Sequence, residues 1–275
     1  MAKMRKSKSK KGVLFSLGLT FLSLLILSLA VLIFHSTQGS ESIASKIAII
    51  DRVYELDVSI GQSLKDIFQI KSGIVINITN TSVYFQEALP NTNADSFNAS
   101  MKSFKSFIEL NMSYVNITLN ETLDDLPLKV MPYDITYRHA GFGGKNIEIV
   151  PNTINFNGYS VFMRLNKNVS SCNWNIQEGS FNFSVEIIGP NGDSCSNSVY
   201  IEPSGVNSVI VNGNVNVYVD DNILQISIDG SDTNAEIKAG IIANTNNAYV
   251  EYGNPVIMIS FGELGVSKAS NSRLT

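Results

Sequence analysis

The sequence predicts a transmembrane helix at the N-terminus, an amphipathic helical stalk after it, and then a mainly-β ectodomain. The ectodomain is expected to be an antiparallel sandwich or jelly-roll-like fold with a small α+β part nearest the membrane. Three observations carry this reading. Residues 13–34 contain no charge, and seventeen of the 22 are apolar. From residue 40 to about 71, apolar side chains recur at intervals of three and four. Beyond residue 72 the texture becomes short alternating runs broken by Asn, Gly, Asp and Pro, the pattern of strands and turns. With 44% hydrophobic residues the chain has material for a core and is no disordered acidic segment.

Charge orients the first element. Lys3, Arg5, Lys6, Lys8, Lys10 and Lys11 crowd the head, and the first acid is Glu41, so the net −4 is a +6 head on a −10 body. A body of that sign repels phosphate, and no nucleic-acid partner is expected. Sixteen Leu, Ile, Val and Phe fill the span. At about 1.5 Å per residue it reaches roughly 33 Å, enough for a hydrocarbon layer of about 30 Å. The basic head puts the N-terminus in the cytoplasm and the remainder outside the cell membrane, as a single-pass protein with the lipid bilayer as partner. The run exceeds the apolar core of a cleaved signal peptide, and the nearest cleavage-like triplet, Thr37-Gln38-Gly39, lacks the A-x-A pattern. An uncleaved signal anchor is therefore expected. Ser16, Thr20, Ser23 and Ala30 fall close to one helical face, a stripe through which two such helices could approach and self-associate.

The junction Lys10-Lys11-Gly12, followed at once by Val13-Leu14-Phe15-Ser16-Leu17, resembles the leader of a type IV prepilin, the archaeal kind in particular. The resemblance covers about the first 35 residues. It implies cleavage after Gly12, a mature chain beginning at Val13, and apolar helices packed into a filament core that displays β-rich heads. Bacterial members commonly carry a Glu five residues after the cut; this chain has Leu17 there, a departure shared by archaeal members. The expected division is a head or leader at 1–12, the membrane helix at 13–34, the stalk at 35–71, a small α+β region at 72–140 and a sandwich-like domain at 141–275.

In the stalk, Ile43, Ile47, Ile50, Val53, Ile60, Leu64 and Ile67 form the apolar stripe, with Lys46, Asp51, Arg52, Glu55 and Lys65 between them. Ser40 can cap a helix, which places a joint at Gln38-Gly39. The stripe must bury against the chain's own head or against a neighbouring helix. In the ectodomain, 73–78 and 83–89 read as a hairpin, and 95–110 as the one further helix, with Phe97, Met101, Phe104 and Ile108 on one face. Strands follow at 114–119, 127–131, 134–138, 147–150, 159–165, 181–188, 198–202, 206–211, 215–219, 223–228, 236–242, 249–252 and 256–261. Gly141-Phe142-Gly143-Gly144 marks the domain boundary, and the chain past Ser267 reads as a frayed end.

Cys172 and Cys195, the only cysteines, lie in the exported part and read as one disulfide. Asn77, Asn80, Asn98, Asn111, Asn116 and Asn120 each begin an N-x-S/T triplet, as do Asn168 and Asn182, whereas the thirteen later Asn begin none. These are candidate N-glycosylation sites that would shield the half nearest the membrane. Catalytic motifs are missing: there is no GxSxG, HExxH, Walker A or paired CxxC. Gly141-Phe142-Gly143-Gly144-Lys145 lacks the spacing and the Ser/Thr of a phosphate loop. His139 reads as a solvated strand end, and Asp220-Asp221-Asn222 and Asp229-Gly230-Ser231-Asp232 as hairpin turns. No catalytic residue, metal ligand or cofactor is expected. The function expected is an anchored extracellular surface protein with a structural or adhesive role, meeting cell-surface glycans or proteins. The alternative is a pilin-like filament subunit, and a membrane-tethered hydrolase stands as a remote third.

Overall fold

The computed structural model describes residues 7–118, 127–139, 145–262 and 265–275. The first six residues, Asn120 and the expected boundary at 141–144 lie outside the described residues. At Lys11, Gly12, Val13 and Ser16 only the backbone is described. The chain forms two compact units, Met1–Glu55 and Leu56–Thr275.

The first unit is helical. Its described residues belong to α1, Ser7–Lys71, which runs without a break through Gln38-Gly39. The expected joint is thus absent. One glycine in a helix interior costs only about 1 kcal/mol, and a helix of this length absorbs that without ending at Ser40. Ile43, Ile47 and Ile50 are all more than half exposed.

In the second unit, α1 contributes Leu56, Ile60, Leu64 and Phe68, buried at intervals of four residues. Here the stalk stripe packs on its own domain. The Phe68 ring stands edge-on to Phe97, 5.9 Å between centroids, and Phe97 in turn meets Tyr252 at 5.6 Å. Phe97 belongs to α2, Ala94–Asn111, whose N-cap is Asn93.

The strands are β1 (Val75–Ile78), β2 (Ser82–Leu89), β3 (Val115–Thr118), β4 (Leu128–Met131), β5 (Ile135–His139), β6 (Asn146–Pro151), β7 (Gly158–Leu165) and β8 (Cys172–Asn175). They continue with β9 (Glu178–Ile188), β10 (Ser194–Ile201), β11 (Asn207–Val211), β12 (Val215–Asp220), β13 (Ile223–Ile228), β14 (Ala235–Ile242), β15 (Tyr249–Phe261) and β16 (Val266–Arg273). Six of them form one sheet in the order β1-β2-β14-β7-β9-β10, with β7 and β9 parallel and the other pairs antiparallel. The second sheet runs β16-β15-β4-β5-β6-β13-β12-β11-β8, and β3 pairs with β15 beside this path. Alternation buries one face of each, and the two buried faces meet. Phe85 of β2 stacks on Tyr137 of β5 at 4.1 Å, and Trp174 of β8 approaches Phe183 of β9 at 6.5 Å.

The division at 140/141 is overturned by the pairing. β2 bonds β14 along all eight of its residues, β4 bonds β15 and β5 bonds β6, so segments from both sides of that boundary share both sheets. Pairings this distant in sequence leave no mark on local composition. Two expected strands, 249–252 and 256–261, are one strand with a register shift between Glu251 and Val256; Gly253-Asn254-Pro255 makes an irregularity, not a turn. The expected frayed end is β16, paired to β15 from Ser267 to Asn271 and beyond. The short β8, Cys-Asn-Trp-Asn, alternates over only two apolar residues and was not among the expected strands.

Candidate functional site

The first candidate is the apolar part of α1. Leu19–Ser36 is the one helical window, among the described residues, long and apolar enough to cross a membrane, and none of it is buried. Thr20, Ser23 and Ala30 are exposed there. The Ser23 hydroxyl donates to the Thr20 carbonyl at 2.9 Å and Ser28 to Leu25 at 2.9 Å. These back-bonds let a hydroxyl sit in hydrocarbon without an unmet donor.

The second candidate is a polar cluster sealed between the sheets. Glu87 lies on β2 in phase with Val83, Phe85 and Leu89, so the alternation that buries those three buries the carboxylate as well. His139 lies in phase with Ile135 and Tyr137 on β5 for the same reason. The expectation of a solvated His139 is therefore overturned: its side chain is 2% exposed and that of Glu87 0%. His139 Nε2 stands 3.0 Å from Glu87 Oε2, but neither ring nitrogen has a hydrogen-bond partner. Tyr137 donates its hydroxyl to Glu87 Oε1. Asn91 Nδ2 donates to Glu87 Oε2 at 2.8 Å and to the Ser72 carbonyl at 2.9 Å. The carboxylate thus ties the two sheets to the end of α1. The signal was present in the sequence as two ionisable residues in phase with apolar neighbours. A base and an acid in contact are the raw material of proton transfer, but a pair sealed from solvent offers no approach to a substrate.

The open concavities are lined by other groups. One, of about 480 Å³, lies at the ends of β2, β7 and β14 among Leu89, Pro90, Arg164, Asn166, Asn234 and Glu236. Another, of about 310 Å³, lies between α1 and β16 among Asp57, Gln62, Lys65, Ser270, Asn271 and Arg273. Lys268 and Ser270 both donate to Asp57 near this second cavity.

The cysteines are bridged, Cys172 to Cys195, with 5.8 Å between Cα atoms. The bond joins β8 to β10, the outermost strands of the two sheets on one side. Asp221 and Asn222 have positive φ in the two-residue turn between β12 and β13. Asp229 accepts from Asn216 Nδ2 at 3.1 Å. Both acidic stretches therefore do turn and loop work. Lys145 Nζ donates to the Gly230 carbonyl at 2.6 Å. Tyr252 is core, and burial drives its phenol, like that of Tyr159, well above the usual range. Tyr249 lies under the Arg273 guanidinium at 4.3 Å.

No family model, curated protein or solved structure matches this chain.

The triplet asparagines divide by exposure. Asn77, Asn80, Asn111, Asn116 and Asn168 are exposed, and Asn182 is half-buried with its Oδ1 accepting from Ser198 at 3.3 Å. Asn98 is 5% exposed on the inward side of α2. A glycan on Asn98 is sterically excluded in the folded unit, which corrects that expectation. Alternation along the helix, with Phe97 and Met101 inward, explains its burial.

Proposed function

We propose that the chain is a single-pass membrane-anchored surface protein, N-terminus in the cytoplasm, whose second unit lies outside the cell and acts by structure or adhesion. The observation that carries this reading is the wholly exposed apolar window Leu19–Ser36 behind a basic head, on the same chain as a disulfide-bonded β unit. An uncovered apolar surface of that length is stable in lipid or against other helices, not in water. A disulfide belongs to an oxidising compartment, which fits an exported β unit. The sandwich description of that unit rests on the facing aromatic contacts between its two sheets.

A specific observation favours a second reading, the pilin-like filament subunit. Apolar exposure on α1 does not stop at a membrane's depth. Ile43, Ile47, Ile50 and Tyr54 follow the span at intervals of four, three and four, each more than half exposed. From Val13 to Tyr54 a helix rises about 62 Å, twice the hydrocarbon thickness, so lipid cannot cover all of it. The spacing is that of alternating d and a positions of a heptad, and Lys46 and Asp51 then take the g and e positions. Those two residues, five apart, face each other across a parallel pair of helices. Copies anchored in one membrane are necessarily parallel, so a second copy fits this stripe.

The mature N-terminus separates the readings. Edman degradation or intact mass of the chain from membranes should return an intact basic head for the plain anchor. A chain beginning at Val13 would sink that reading and establish processing after Gly12.

A further inference from the structure

Most strand edges of the second unit are guarded by the polypeptide itself, and two are not. Open edges present unpaired N–H and C=O groups to any passing strand, and folded proteins cover them or place charges on them. β8 and β10 are joined to each other by Cys172–Cys195. β16 is flanked by α1, where Asp57 receives bonds from Lys268 and Ser270. β1 has neither device, and β3 has only the end of α2 against it; each pairs on one side alone among the described residues, β1 with β2 and β3 with β15. Neither carries a charged residue, their sequences being Val-Ile-Asn-Ile and Val-Asn-Ile-Thr. Val75 on β1 is 60% exposed.

These two bare edges are where the triplets concentrate. Asn77-Ile78-Thr79 begins on β1, and Asn80-Thr81-Ser82 occupies the turn that follows. Asn116-Ile117-Thr118 lies within β3, and Asn111-Met112-Ser113 begins at the last residue of α2 and ends two residues before β3 opens, with Asn111 Nδ2 donating to the Phe107 carbonyl at 2.7 Å. All four Asn are exposed. We propose that Asn77, Asn80, Asn111 and Asn116 carry N-linked glycans, and that these glycans are the edge guards of β1 and β3. In the transfer, the Asn side-chain nitrogen attacks the anomeric carbon of an oligosaccharide carried on a polyprenyl phosphate. The N–C bond forms, the sugar–phosphate C–O bond breaks, the amide nitrogen loses a proton and the lipid phosphate leaves. A hydrated sugar chain on an edge strand excludes a second strand by volume, as a lysine would by charge. Asn98 and Asn182, buried and half-buried, stay unmodified.

This inference rests on the proposed outward placement of the second unit, and the experiment separates the two. Intact cells are treated with protease, and the full chain from native membranes is mapped by peptide mass spectrometry. Sugar mass on the peptides of Asn77, Asn80, Asn111 and Asn116, with none on those of Asn98 and Asn182, is the expected result. Protease-accessible heads with bare peptides at all four positions would overturn the modification and leave the anchor reading standing. Heads resistant to protease would overturn the anchor reading itself. The guarding role is tested on the full chain in detergent, made in a host without N-glycosylation. It should form particles several-fold larger than the native protein, and N77K with N116K should restore the native size. A bare chain dispersed like the native one, or a lysine pair without effect, would overturn the guarding role.

Discussion

Glu87 shows how much one residue can hold in a core otherwise built of alternating apolar side chains. Its carboxylate is the common acceptor for Tyr137 and Asn91 and stands against His139. Removing it takes the acceptor from the Tyr137 hydroxyl and from one Asn91 N–H in a place without water, and the cost of breaking such a buried polar set by deleting one member is about 3–5 kcal/mol. Glu87→Ala should therefore lower unfolding free energy by that amount, read from chemical denaturation of the full chain in detergent. Replacing the set together, with Glu87→Leu, Tyr137→Phe and His139→Leu, should cost less, because apolar groups of similar size leave a single Asn91 N–H without its acceptor while Asn91 keeps its bond to Ser72. A single substitution as mild as the triple would show that the cluster is not mutually dependent. The residues were legible one at a time as Glu and His on apolar strands. Their meeting was not, because β2 and β5 come from different sheets and some fifty residues lie between them.

At the scale of elements, α1 carries two apolar stripes with different fates. Leu56, Ile60, Leu64 and Phe68 bury within the second unit, whereas Ile43, Ile47, Ile50 and Tyr54 are exposed in the first. The three-and-four spacing made the helix legible, and the interval signal alone joined Ile43, Ile47, Ile50, Val53, Ile60, Leu64 and Ile67 into one stripe. It could not separate them, because a stripe facing a domain and a stripe facing a second copy obey the same period. It also passed over Leu56 and Phe68, which are inward by contact. The two stripes should answer differently to substitution. Ile60→Ala should destabilise the second unit by about 2–5 kcal/mol and leave association untouched. Ile47→Asp should leave the unfolding midpoint unchanged and weaken self-association by roughly ten- to a hundredfold, the loss of about 1.5–3 kcal/mol per buried Ile. Sedimentation or crosslinking of the detergent-solubilised full chain reads the second effect, and a change in midpoint without one in association would reverse the assignment. Most strands were legible to within a few residues. β8 and β16 were missed because β8 alternates over only Cys172 and Trp174 and the half-buried side of β16 is largely polar, so their pairing partners define them.

Across the whole second unit, the disulfide is placed where the chain has least else to hold it. β8 has four residues and bonds only β11 among the described strands, and β10 bonds only β9. The central strands β2, β14 and β7 are each bonded on both sides and lie far from the bridge in sheet order. Closing a loop of 23 residues removes freedom mainly from the unfolded chain and stabilises by about 3 kcal/mol in the chain-entropy view. An edge staple should also act locally in the folded state, because opening of β8 away from β10 no longer has a covalent stop once it is cut. The double variant Cys172→Ser with Cys195→Ser should therefore lose about 3 kcal/mol of global stability. Its amide exchange should also quicken in β8, β10 and the adjoining part of β11, by more than the global loss requires. β14 should exchange through global unfolding alone, since every one of its eight residues is paired to β2 on one side and β7 on the other. Uniform acceleration across all strands would show that the bridge acts only on the unfolded chain, and faster exchange confined to β8 and β10 with no global loss would show that it acts only as a staple.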